Sequence, residues 1–153
     1  MNCKEKIIVI GADHRGYFLK QFLIQSSQLQ GCLPYRIAWI DVGTHMPERT
    51  DYPCYAVPVC CSILEDKADF GILTCGSGLG MAIAANRFRG IYAGVLWNSE
   101  VARAGKQDDN INVAILPADF IGQVEAIDII VAWLESSFKR DSYTHRLEIL
   151  DKL

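Results

Sequence analysis

Cys75-Gly76-Ser77-Gly78-Leu79-Gly80 puts a thiol, a hydroxyl and three glycines into six residues. It follows the apolar run Ala68 to Thr74 and precedes Met81-Ala82-Ile83-Ala84-Ala85-Asn86. That order predicts a buried strand, a tight turn and a helix start. The backbone N–H groups of such a turn bind an anion or stabilise a developing oxyanion. The thiol can serve as a base or a nucleophile. The plainer reading of Cys75 is a buried core thiol. Against it, the residue lies at a strand end facing the Gly-rich turn, where N–H groups are expected to depress its pKa. The GxxxxGK[ST] phosphate loop is not present.

Three other stretches carry chemistry. Gly11-Ala12-Asp13-His14-Arg15-Gly16 offers a carboxylate, an imidazole and a guanidinium at a helix start, a set suited to a phosphorylated or polyhydroxylated substrate. The GxGxxG dinucleotide spacing is missing. Asp13 alternatively only caps the helix, with His14 and Arg15 solvated. Asp108-Asp109-Asn110-Ile111-Asn112 supplies two carboxylates and two amides, or is a solvated turn. Arg140, His145 and Arg146 form either a solvated tail or a phosphate contact in their own or a neighbouring subunit's site, with Arg146 favoured beside apolar Leu147.

The elements that must position these groups alternate. Strands are expected at Lys6–Ile10, Arg36–Val42, Phe70–Thr74, Ile91–Leu96 and Asn112–Leu116. Helices are expected after Asp13, with Leu19, Phe22, Leu23 and Ser26 on one face and Gly31 as the stop, and over Asp51–Glu65, where Pro58 predicts a kink. Further helices are expected over Gly80–Arg87, over Ser99–Lys106 with Ser99 as cap, and over Gln123–Ser136. Continuously apolar strands alternating with helices imply a parallel sheet covered on both faces, within one domain spanning residues 1–153. In such a sheet, ligands sit beyond the carboxyl ends of the strands. Gly11–Gly16, Gly43–Asp51, Thr74–Gly80 and Trp97–Asn98 are all such ends.

Half of the 153 residues are hydrophobic, 22% are charged, and the formal net charge is -3. Disorder and a broad nucleic-acid-binding face are excluded on that balance. No stretch reaches eighteen continuous apolar residues and no leader is visible, so the expected compartment is the cytoplasm, with no membrane partner. Cys3, Cys32, Cys54, Cys60, Cys61 and Cys75 form no CxxC pair. Most are expected to be small buried hydrophobes, and no ligand-spaced cluster calls for a metal.

Taken together, these motifs resemble the sugar-phosphate isomerase family that includes ribose-5-phosphate isomerase B and the galactose-6-phosphate isomerase subunits. The resemblance spans roughly residues 6–150. It rests on the 11–16 loop, Asp41-Val42-Gly43-Thr44, Glu48-Arg49-Thr50-Asp51-Tyr52-Pro53, Cys75 to Gly80 with Ala84-Ala85-Asn86, Asn110 to Val113, and Trp133-Leu134. It implies a Rossmann-like three-layer αβα sandwich with a five-stranded parallel sheet. It also implies a homodimer, or a dimer of dimers, with active sites shared between subunits. The implied reaction is aldose–ketose isomerisation of D-ribose 5-phosphate and D-ribulose 5-phosphate through a cis-enediolate, without cofactor or metal. By position, Cys75 resembles the base and Ser77 a group near the substrate oxygens. Gly76, Gly78, Leu79 and Gly80 resemble the anion hole. Asp13 resembles a contact to the ring oxygen or a hydroxyl, His14 the phosphate-side histidine, and Arg146 a phosphate-binding arginine.

Two departures stand out. Many relatives have His-Asn-Asp where this chain has Asp108-Asp109-Asn110, which leaves Asp108 in the ring-opening position and Asp109 among the substrate-binding residues. A second family arginine aligns near Ser142, with Arg140 two residues earlier as its expected substitute. A 6-phosphate hexose substrate such as allose or galactose, a non-catalytic sugar-phosphate binder, and a thiol hydrolase are the competing readings.

Overall fold

The computed structural model describes residues 4–153. Five strands form one parallel sheet: β1 (Glu5–Ala12), β2 (Arg36–Asp41), β3 (Phe70–Cys75), β4 (Ala93–Val95) and β5 (Val113–Pro117). Their order across the sheet is β2-β1-β3-β5-β4. The first connection leads from β1 to one side, and β3 then pairs with β1 on the other side. The direction in which strands are added across the sheet therefore reverses between β1 and β3, and a crevice opens at their carboxyl ends.

Period-two alternation sorts the strand side chains onto two cores. Ile8, Ile10, Ile72, Ala114 and Leu116 face one layer of helices: α1 (Tyr17–Gln25), α2 (Ser27–Gly31), α5 (Ser99–Asp109) and α6 (Gln123–Glu135). Val9, Leu73, Cys75, Val113 and Ile115 face the other layer, α3 (Pro53–Leu64) and α4 (Leu79–Ala85). This is the Rossmann-like αβα sandwich. Trp133 on α6 is fully buried, donates through Nε1 to the Ile111 carbonyl at 3.0 Å and meets the Phe70 ring edge-on.

Several local expectations need correction. The first helical stretch breaks at Ser26, whose hydroxyl accepts the Leu29 N–H at 3.0 Å and so caps α2. Asn98, not Ser99, caps α5 by accepting the Val101 N–H at 2.8 Å. The third helix begins at Pro53 and the fourth strand is only three residues long; Pro58 lies inside α3. The C-terminal stretch is not a tail but a helix, α7 (Ser142–Leu150). Only Leu147 of α7 is buried, and Tyr92 Oη clips the end of the helix by donating to Asp151 at 2.7 Å. Of the described cysteines, all free, only Cys60 and Cys75 are buried; Cys32 and Cys54 are exposed, and Cys3 lies outside the described residues.

Candidate active site

The crevice between β1 and β3 collects the first group of predicted residues. Asp13, 7% exposed, does not cap α1, which starts four residues later behind Gly16. Its Oδ1 instead accepts the N–H groups of Arg15 at 2.9 Å and Gly16 at 3.0 Å, closing the turn that leads into the helix. Gly16 is required here because a Cβ would strike the Thr74 backbone. The Thr74 hydroxyl donates to the Gly16 carbonyl at 2.9 Å, and the Asp13 N–H donates to the Thr74 carbonyl at 3.2 Å. The two loops are thus stitched together by one backbone pair and the Thr74 hydroxyl.

Cys75 ends β3 with its sulfur turned toward the α3–α4 layer, 5% exposed. The Gly78 N–H donates to Sγ at 3.1 Å. Gly78 adopts φ +80°, which favours glycine, and this brings its N–H back over the sulfur. Ser77 Oγ accepts the Leu79 N–H at 3.3 Å and turns outward at the rim. Gly80, in the first turn of α4, lies against the Tyr52 ring, while Leu79 is exposed. Burial pushes the Cys75 thiol up, and the nearby Asp13 carboxylate adds to that. The Gly78 and Met81 N–H groups and the Arg15 guanidinium pull it down without prevailing. The depressed pKa expected from the sequence is therefore corrected: desolvation outweighs the donors.

The loop after β2 closes one side. Ala12 N–H donates to the Gly43 carbonyl at 2.7 Å and Thr44 N–H to the Ala12 carbonyl at 2.8 Å. His14 Nδ1 lies 3.2 Å from the Thr50 carbonyl and 3.3 Å from the Thr50 N–H, so this loop fixes the ring whichever tautomer it holds. Beneath it, fully buried Lys20 donates to both oxygens of Asp41, at 2.8 and 2.7 Å. Asp41 also accepts the Gly43 N–H at 2.9 Å. A loop from β5 closes the other side: Ala118 and Asp119 N–H donate to the Cys75 and Gly76 carbonyls, and Asp119 pairs with Arg15.

The second group of predicted residues lies elsewhere. In a parallel sheet α5 runs against the strands, so Asp108 and Asp109 end at the amino edge. There the Asn112 carbonyl receives the Gly71 N–H. From that edge to Cys75 is the length of β3, about 17 Å at 3.3 Å per residue. Asp108 pairs with Lys139 at 2.7 Å, a bond that pushes the exposed Lys139 ammonium up. Asp109 is exposed on the side facing α7, near Leu147 and Leu150. Arg140 is exposed, with φ 59°, and exposed Arg146 lies 4.9 Å from the centre of the Tyr143 ring. None of these four joins Cys75 within one chain.

Thr50, Lys20, Asp41 and Asp119 were not anticipated. Asp41 and Thr50 lie inside stretches quoted for the resemblance, and that was the only signal they gave. Among the described residues, no group of three or more His, Cys, Asp or Glu side chains could hold a metal ion, and no helix is long and apolar enough to cross a membrane.

A doubly wound sheet with a thiol in a Gly-rich turn at its reversal point defines a small-molecule enzyme of the αβα type, built for anionic or oxygen-rich ligands. The family model described as Ribose/Galactose Isomerase matches residues 8–150, and the chain belongs to that family of sugar-phosphate isomerases. It is 35% identical over 145 residues to ribose-5-phosphate isomerase B of Escherichia coli, covering 95% of this chain and 94% of the relative. The solved ribose 5-phosphate isomerase of Thermotoga maritima superposes with TM-score 0.91 at 38% identity, covering 97% of this chain and 99% of that one. The Mycoplasma genitalium ribose-5-phosphate isomerase B, solved with bound ribulose-5-phosphate, gives 0.85 at 29% identity, covering 99% and 97%.

Proposed function

We propose that this protein interconverts D-ribose 5-phosphate and D-ribulose 5-phosphate in the cytoplasm, as a homodimer or a dimer of dimers, with Cys75 as the base. The observation that carries this reading is the buried Cys75 sulfur under the Gly78 N–H, at the reversal point of the sheet. As a thiolate, Cys75 takes the proton from C2 of the open aldose. The C2–H electron pair becomes the C1=C2 bond and the aldehyde oxygen gains the charge. The thiol returns the proton to C1, the C2 hydroxyl loses its proton as its oxygen becomes the ketone, and the C1 oxygen gains one. No atom enters or leaves. The Gly76–Gly80 N–H groups suit the enediolate oxygens, with Ser77 and Asp13 beside the hydroxyls.

His14 would meet the phosphate. Arg146, Arg140, Asp108 and Asp109 would reach the same substrate from a second copy, because their own chain's Cys75 is a strand length away. Asp108 would then face the ring oxygen, with Lys139 already on its carboxylate.

The raised thiol pKa gives a pH dependence. Only the thiolate is active, so kcat/KM rises with pH across the neutral range and levels off above the ordinary thiol value of about 8.5. The reading is tested by turnover of ribose 5-phosphate, allose 6-phosphate and galactose 6-phosphate in wild type and Cys75→Ala. The expected result is ribose 5-phosphate turnover lost by about 1,000-fold or more in the folded variant, as for other proton-transfer groups. Turnover of a hexose phosphate alone would replace the substrate. Full activity in Cys75→Ala would remove the base.

A further inference from the structure

We infer that Arg15 is a positioning residue for the proton transfer: held by Asp119 against the Gly76 peptide, its guanidinium supplies a fixed positive charge that favours the anionic form of the Cys75 sulfur. This deepens, and rests on, the isomerase reading above.

The geometry comes from three loops meeting at one peptide. Arg15 leaves the turn that Asp13 closes, and its own N–H is bonded to Asp13 Oδ1. Its guanidinium crosses to the β5–α6 loop and pairs with the Asp119 carboxylate. On the way it lies against Gly76: a Cβ built there would overlap Arg15 Cζ, Nε and Nη1. Gly76 has no positive φ, so its backbone does not demand glycine; the space taken by Arg15 does. Asp119 is itself set by its N–H, which donates to the Gly76 carbonyl at 3.1 Å. A planar cation is therefore aligned along the peptide next to the sulfur-bearing residue, where an ammonium would make a less oriented contact.

The charges around Cys75 show why one more cation matters. Asp13 from the β1–α1 loop disfavours the thiolate, and Asp119 adds a second negative group beyond Arg15. The turn and α4 supply only N–H groups, from Gly78 and Met81. From α3, Cys60 in the same core is pushed up to about 12, mainly by burial, and is neutral. Among the described residues Arg15 is the one cationic side chain acting on the sulfur; its pull is the smallest of the influences there, in the direction that favours ionisation. Arg15 and Asp119 are both partly exposed, at 54% and 37% of their side chains, so the charge is screened and the effect is moderate.

The test follows the alkylation of Cys75 by iodoacetamide against pH, read peptide by peptide by mass spectrometry because Cys32, Cys54 and Cys61 are also accessible. Arg15→Met should slow Cys75 alkylation roughly fivefold at a fixed pH below its midpoint, and Arg15→Lys should recover part of the loss. The other cysteines serve as internal references and should not change. Gly76→Ala keeps the charge but pushes the guanidinium aside, so it should slow alkylation in wild type and add little in the Arg15→Met background. In turnover, Arg15→Met should lower kcat with KM nearly unchanged. Unchanged Cys75 alkylation in Arg15→Met overturns the inference, whatever happens to turnover. If wild type shows no isomerase turnover while the alkylation shift is present, the isomerase reading fails and the electrostatic role of Arg15 stands.

Discussion

The carboxyl edge of the sheet and its amino edge hold the two halves of the predicted site, and they are built in opposite ways. At the carboxyl edge, Asp13, Gly16, Thr74 and Cys75 are buried, and the two loops are joined by hydrogen bonds that each use a backbone group. A fully buried Lys20 paired with the partly exposed Asp41 braces the neighbouring loop. At the amino edge, Asp109, Arg140 and Arg146 are exposed on the end of α5 and on the stretch that enters and forms α7. That helix buries a single residue of its own. Under the proposed function, the contrast would be a division of labour. Moving a proton between adjacent carbons needs a base held to a fraction of an ångström. Gripping a phosphate needs cations that are reachable from outside the chain that carries them.

Three substitutions sharpen this contrast. Lys20→Met leaves Asp41 without its buried partner and should cost about 3–5 kcal/mol of stability by urea unfolding, with the 43–50 loop and His14 affected first. A cost below about 1 kcal/mol would mean that the carboxyl edge is not braced by this pair. Arg146→Ala should leave the fold intact and cost roughly 100-fold in kcat/KM, about 2.7 kcal/mol, mainly through KM. An unchanged KM would take Arg146 out of substrate binding. Burial, and after it the hydrogen bond to Asp151, raise the Tyr92 phenol to about 12, and Tyr92→Phe removes that bond. It should cost about 1 kcal/mol, felt as faster hydrogen exchange in α7 with the rest of the chain unchanged. Faster exchange throughout the sheet would contradict the picture of a lightly clipped helix.

The sequence revealed the two edges unequally for the same physical reason. The strands were legible because runs such as Ile7-Ile8-Val9-Ile10 are β-branched throughout. Once they were placed, the Cys75 turn and the 11–16 loop had to share the carboxyl edge. Helix α7 was hidden because Ser142 to Leu150 is mostly polar, with too few buried positions to show a helical period. Lys20 was invisible because a lysine in a helix reads as solvated until Asp41, 21 residues away, is seen to receive it. The partners of His14 and Arg15 lie 36 and 104 residues distant, beyond any local pattern. The direction of the Cys75 pKa could not be read because it is a contest between burial and N–H donors, and burial is a tertiary quantity. At the amino edge, matching motifs named Asp108 and Arg146 but could not say that they belong to a different end of the sheet.

The central claim is that the two edges meet only across subunits, and a mixed dimer tests it most directly. Cys75→Ala and Arg146→Ala chains, each nearly inactive alone at substrate well below KM, would be co-expressed with different tags, purified through both and assayed under that condition. A shared site predicts about half the wild-type activity, because one of the two sites combines the intact Cys75 of one chain with the intact Arg146 of the other. Activity no higher than that of the two parent variants would contradict it and place each working site within a single chain.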